Sequence, residues 1–188
     1  MENFLAPYQA AWKTEFDNLA SVLQQALQGI ETDIQQVGST AVPGVYSKPV
    51  LDVDIIIADE SLLPVVTDRL LQIGYLAKGD QGIPGRFAFR QRQATTPLTA
   101  EQRNWMPHHL YVCYAHSLAL QNHLLFRDAL LANEALAAQY SALKRSLIAE
   151  EGMTSEIYTQ RKTGFILSVL SALGLDDAAI DAIRRANE

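Results

Sequence analysis

The sequence predicts an α/β (α+β) fold: a β-sheet over about residues 31–115, preceded by one helix and followed by a helical C-terminal part over about residues 116–188. Three observations predict it. Apolar residues first recur three or four apart, at Trp12, Phe16, Leu19, Val22, Leu23, Ala26 and Leu27, the stripe of an amphipathic helix. They then give way to short β-branched or alternating runs, of which Val50 to Ile57 is the longest. From Ser117 onward the helical period returns. With 188 residues, 48% hydrophobic and 19% charged, the chain is expected to form one globular domain, residues 1–188, with a core that needs no disulfide.

Each element has a local reason. The first helix runs from about Tyr8 to Gly29, which suits a C-terminal cap. Thr32 to Val37 carries β-branched residues and is closed by Gly38, so it reads as a strand. Val50 to Ile57 reads as a strand buried on both faces. Ala58 to Ser61 opens a helix that reaches Gly74, and Tyr75 to Lys78 continues as a third strand. Gly79 to Gly85 is a glycine- and proline-rich loop, and Arg86 to Arg92 alternates as a strand with Arg86, Ala88, Arg90 and Arg92 on one face. Gln93 to Pro107 has no periodicity, and is expected to be a lid or an excursion that does not fold against the core. Leu110 to Tyr114 is a strand opened by His108 and His109. The helices that follow are expected from Ser117 to Asn133, Glu134 to Ala149, Thr154 to Gly174 and Asp176 to Ala186.

The chemistry concentrates around Gly38-Ser39 and the strand after Lys48-Pro49. Strand side chains alternate faces, so Asp52 and Asp54 project from the same side. Two adjacent carboxylates need cations, and Mg²⁺ completed by substrate phosphate oxygens is one solution. The alternative is that one of them caps a turn or forms a salt bridge with Lys48 or an arginine. The Gly38-Ser39 pair leaving a strand lets the backbone approach a phosphate, or serves as a plain turn. Arg86, beside the loop, is an anion candidate. His108 and His109 must face opposite ways, so one faces the core and the other a site. Tyr140 with Lys144, and Tyr158 with Lys162, repeat a spacing that lays each lysine along its tyrosine, able to aim two ammonium groups at a common anion.

Taken together, Val37-Gly38-Ser39-Thr40-Ala41-Val42-Pro43-Gly44, Lys48-Pro49 ahead of an aspartate-bearing strand, Arg86-Phe87, His108-His109-Leu110, Phe126-Arg127-Asp128, and Tyr140 with Leu143-Lys144 resemble the GrpB family over most of the chain. The chain departs from that family's pattern at Gln36 and Tyr111, where a histidine is common. The resemblance implies a nucleotidyltransferase-like mixed β-sheet flanked by the N-terminal and C-terminal helices. It implies Asp52 and Asp54 as catalytic, metal-holding carboxylates for Mg²⁺, with Gly38, Ser39, Lys48, Arg86, Lys144 and Lys162 around the phosphates of a nucleoside triphosphate. The superfamily usually supplies a third carboxylate from a neighbouring strand. Leu110 to Tyr114 offers none, so the resemblance implies a third ligand that is either absent or replaced, with His109 as the candidate replacement. The acceptor, a small-molecule hydroxyl or a protein side chain, would be chosen by the loop from Gly79 to Pro107. The same resemblance accommodates a non-catalytic nucleotide- or anion-binding module and an accessory protein.

Composition narrows the rest. A formal net charge of −6 makes nucleic acid an unlikely partner. Met1 to Tyr8 lacks the basic start and apolar core of a signal peptide, and no run approaches the ~18 apolar residues of a membrane span, so a cytoplasmic bacterial protein is expected. The single cysteine, Cys113, lies in an apolar strand and reads as a buried thiol.

Overall fold

The computed structural model describes residues 5–186. Met1 to Phe4, part of the stretch read for a leader, and the last two residues of the chain lie outside the described residues. Helix α1 (Ala11–Ala26) leads into strand β1 (Asp33–Val37), then β2 (Leu51–Ile57), α2 (Leu63–Gln72), β3 (Tyr75–Ala77), β4 (Arg86–Gln91) and β5 (His108–Tyr114). Helices α3 (Leu118–Ala132), α4 (Glu134–Ala149), α5 (Ser155–Ala172) and α6 (Asp177–Arg185) complete the chain. The strands form one sheet in the order β1-β2-β5-β4-β3. Only β2 and β5 run parallel; the other three pairings are antiparallel. The sheet is therefore mixed.

Alternation along β2 and β5 divides the sheet into two faces. Leu51, Val53, Ile55 and Ile57, with Leu110 and Val112, point into a core shared with Trp12, Phe16, Leu19 and Leu23 of α1 and with Val66 and Leu70 of α2. Asp52 and Asp54, with His109, Tyr111 and Cys113, occupy the opposite face. A second apolar cluster joins Val42 and Val45 to Phe126, Leu130, Tyr140, Leu167 and Leu170 of the C-terminal helices. It ties the connection after Gly38 to α3, α4 and α5, and so fixes the helices over the acidic face. Cys113 is buried and free, and burial pushes its thiol up.

The two histidines separate as strand alternation requires. His108 is buried beneath the sheet, while His109 is exposed on the acidic face. His108 Nδ1 lies 2.9 Å from the Met106 carbonyl, which can only accept, so Nδ1 carries the proton and Nε2 accepts from the Tyr75 hydroxyl at 2.6 Å. Removing that hydroxyl in Tyr75→Phe strands a buried acceptor and should cost about 1–3 kcal/mol in urea unfolding. Burial pushes His108 down to about 4. The unfolded chain therefore takes up a proton below about 6.5 that the folded chain refuses until about 4, and stability falls as pH drops through that window. The full loss is about 3 kcal/mol; comparing urea midpoints at pH 7 and pH 4.5 reads it, and His108→Gln should flatten the slope.

Two sequence expectations are corrected. Residues 93–107 do fold against the core: Trp105 is 6% exposed within the α1-side cluster and its indole N–H donates to the Pro97 carbonyl at 2.8 Å. Arg103 lies 4.2 Å over the Trp105 ring and reaches both carboxylate oxygens of Glu15 on α1, at 2.9 and 2.7 Å. One aromatic anchor and one ion pair hold a segment that carries no periodic signal. Strand β4 ends at Gln91, so Arg92 is not part of its face; Arg90 is exposed and Arg86 half-buried.

Candidate functional site

The site begins at Gly38. Its φ of 70° is a conformation that side chains rarely adopt, and a Cβ built there would lie 2.2 Å from Asp52 Oδ2. Val37 pairs directly with Asp52 across β1 and β2, so the chain leaves β1 hard against the carboxylate. Only glycine allows that approach. The next residues form a 3₁₀ turn, Ser39–Ala41, which sets Ser39 and Thr40 at the edge of a cavity of 360 Å³.

That cavity gathers residues from across the chain. Lys48 and Ser47 come from the connection before β2, Asp52 from β2, His109 and Tyr111 from β5, Lys144 from α4, and Tyr158 and Lys162 from α5. Both Tyr-x-x-x-Lys pairs deliver what their spacing suggested. Lys144 Nζ sits 4.9 Å from the Tyr140 ring centre and Lys162 Nζ 5.7 Å from that of Tyr158, with Lys48 Nζ 5.6 Å from the same Tyr158 ring. Three lysines thus face one cavity with a single carboxylate, Asp52. None of them forms an ion pair among the described residues.

The electrostatics record the strain of that arrangement. Lys144 is 2% exposed, and among the described residues its ammonium donates to the Ser47 hydroxyl at 3.5 Å and meets no carboxylate. Burial, then repulsion from Lys162, pushes it down to about 7. Lys162 is likewise lowered, by burial first, with Asp52 opposing the shift. Asp52 is raised by burial, against the pull of His109, His123 and Lys162. Buried charges of both signs, incompletely paired, make this cavity the candidate functional site.

Asp54 has a different environment. It is fully buried, does not line the lysine cavity, and its Oδ2 lies 2.8 Å from His123 Nδ1 on α3. An ionised carboxylate only accepts, so Nδ1–H donates. Asp54 Oδ1 is buried without a hydrogen-bond partner, as is Thr40 Oγ1. Among the described residues no group of three or more His, Cys, Asp or Glu is placed to hold a metal ion. The hard oxygen pair Asp52 and Asp54, with one orphaned oxygen, fits Mg²⁺ only as a site that substrate oxygens complete.

The sequence-derived residues are therefore sorted by position. Ser39, Lys48, Asp52, His109, Lys144 and Lys162 line one cavity, and Gly38 shapes its wall. Asp54 does not line that cavity and is engaged by His123 instead. Arg86 lines a different cavity, with its guanidinium 4.5 Å over the Tyr111 ring. No residue from 79 to 107 borders the lysine cavity. His123 was missed. Its signal was a lone ring nitrogen among the leucines of α3, legible only once α3 is known to cover the acidic face. Arg127, known above only as part of a motif, reaches the Gln35 side chain at 2.8 Å and the Gln36 carbonyl at 3.0 Å, and so braces α3 against β1.

A glycine-serine turn abutting an aspartate pair on such a mixed sheet is the architecture of the nucleotidyltransferase-like fold. The crystal structure of Cid1 poly(U) polymerase with MgGTP bound superposes with a TM-score of 0.59 and 13% identity, over 89% of this chain and 52% of that one, a likeness of fold alone. Within that class the chain belongs to the GrpB family, whose family model, described as GrpB protein, matches residues 3–172. The glutamate-rich protein GrpB of Alkalihalophilus pseudofirmus is 30% identical over 175 residues, 92% of this chain and 96% of that relative. The crystal structure of the protein GrpB from Enterococcus faecalis matches with a TM-score of 0.72 and 25% identity, over 98% of this chain and all (100%) of that one. Among the described residues no helix is long and apolar enough to cross a membrane.

Proposed function

We propose that the lysine cavity binds the polyphosphate of a nucleoside triphosphate and that the chain transfers the nucleotide to an acceptor hydroxyl. The observation that carries this reading is the convergence of Lys48, Lys144 and Lys162 with Ser39 and Asp52 on one cavity without internal ion pairs. Phosphate oxygens would satisfy the ammonium groups and the Ser39 hydroxyl, and the largely buried Tyr158 ring, which lines the cavity beside Lys48 and Lys162, would border the nucleoside. In transfer, the acceptor oxygen forms a bond to the α-phosphorus, the bond from that phosphorus to the bridging oxygen breaks, pyrophosphate leaves, and the acceptor proton passes to solvent or a site base. Lys144 and Lys162 stabilise charge that shifts to the leaving pyrophosphate. Asp52 would hold Mg²⁺ together with phosphate oxygens, neutralising phosphate charge, and Asp54 would join it only by giving up its bond to His123. The test is release of pyrophosphate from labelled ATP, GTP, CTP or UTP with small-molecule and protein acceptors. The expected result is Mg²⁺-dependent release that Asp52→Asn abolishes.

A second reading, a nucleotide- or anion-binding module without turnover, is favoured by one specific observation. Asp54 is engaged by His123 and sealed from the cavity, and the β5 positions opposite the aspartates are His109 and Tyr111. Under that reading nucleotide binds and no pyrophosphate appears with any acceptor.

A further inference from the structure

A second cavity, of 820 Å³, lies beyond the lysine site and is used by none of the chemistry above. Its volume falls in the range of small-molecule sites. Ile83, Pro84, Leu118, Ala119 and Ile183 make most of its wall apolar, and Arg86 brings a cation into it. Arg86 forms no ion pair among the described residues, and its Nε is buried without a hydrogen-bond partner. A guanidinium beside apolar surface, lacking a carboxylate, lacks the partner that normally offsets its desolvation.

The wall around Arg86 is closely packed. Gly85, at φ 74°, sits where a Cβ would come within 2.7 Å of Ser117 Cβ, and its carbonyl accepts from the Tyr114 N–H at 2.9 Å. The guanidinium stacks on Tyr111, whose ring is 6.0 Å from that of His123. His123 and Asn122 add polar groups to the same cavity, and Asp59 and Glu60 line an exposed part of it. Those two carboxylates disfavour a ligand of high negative charge. Asp59 is already engaged by the Ser61 N–H and hydroxyl, which leaves Arg86 as the anchoring charge.

We infer that this cavity is a second small-molecule site, for an amphipathic monoacid whose single anionic group pairs with Arg86 while its apolar body fills the space toward Leu118 and Ile183. The site shares the Tyr111–His123 partition with the lysine cavity but does not depend on turnover there. Octanoate is the probe, with 1-octanol as the uncharged comparison, titrated calorimetrically into the full chain. Octanoate should bind one saturable site, Arg86→Met should weaken it at least about tenfold while leaving octanol unchanged, and Ala182→Trp, at an exposed lining position of α6, should weaken both. No saturable octanoate binding, or equal affinity in Arg86→Met, overturns the proposal. Should Arg86→Met not fold, Ala182→Trp carries the test alone, and undiminished octanoate affinity in that variant overturns it.

Discussion

Lys144→Met should make the protein more stable and less able to bind a polyphosphate. The lysine is 2% exposed and burial pushes it down to about 7, so charging it in the folded state is costly. Methionine fills similar volume without the charge, and a gain on the order of 2 kcal/mol in urea unfolding at pH 7 is expected. The sign of the pH dependence follows from the lowered pKa. Between about 7 and the ordinary 10.5 the unfolded chain holds a proton that the folded chain has released, so stability rises with pH across that window. The methionine variant should lose that slope. Polyphosphate affinity should drop by at least about tenfold, since Lys144 takes up its proton when an anion docks. In the unaltered chain, affinity should likewise decline as pH rises above 7, with proton uptake on binding. A stability gain paired with a binding loss separates a functional lysine from a structural one.

Gly38→Ala is expected to be the most damaging single methyl addition. The new Cβ would meet Asp52 at Oδ2, Cγ and Cβ, at 2.2, 2.9 and 3.0 Å, and φ is 70°. The closest atom could swing away, but the Asp52 Cβ cannot do so without moving β2. We expect a cost of about 2–4 kcal/mol in unfolding free energy, together with loss of polyphosphate binding. Gly44 offers the control: its φ is 82°, but nothing lies within 4 Å of a Cβ there. Gly44→Ala should cost about 1 kcal/mol from backbone strain and leave binding unchanged.

The fold was largely legible because its signals are local. Strand alternation put Asp52 and Asp54 on one face and split His108 from His109, and the helical spacing that pairs Tyr140 with Lys144 and Tyr158 with Lys162 aims both lysines at one cavity. What escaped was contact between elements distant in sequence. His123 meets Asp54 across 69 positions, and nothing near either residue advertises the other. Residues 93–107 have no periodicity because they pack through Trp105 and Arg103 instead of a repeating face. Arg86 was recognised as an anion candidate, but charge alone could not tell which of two cavities it would line. The pairing of Asp54 bears most on function. A carboxylate held by His123 and sealed from the cavity differs from the freely presented pair that the Asp-x-Asp spacing suggested.

If the lysine cavity receives a nucleoside triphosphate, binding is measurable without any acceptor. Calorimetric titration of ATP, GTP, CTP and UTP, each with and without Mg²⁺, tests it most directly. The expected result is one site per chain for at least one of the four, weakened at least about tenfold by Lys162→Met and strengthened by Mg²⁺ in a way that Asp52→Asn removes. Absence of saturable binding for all four nucleotides, with and without the metal, would contradict it.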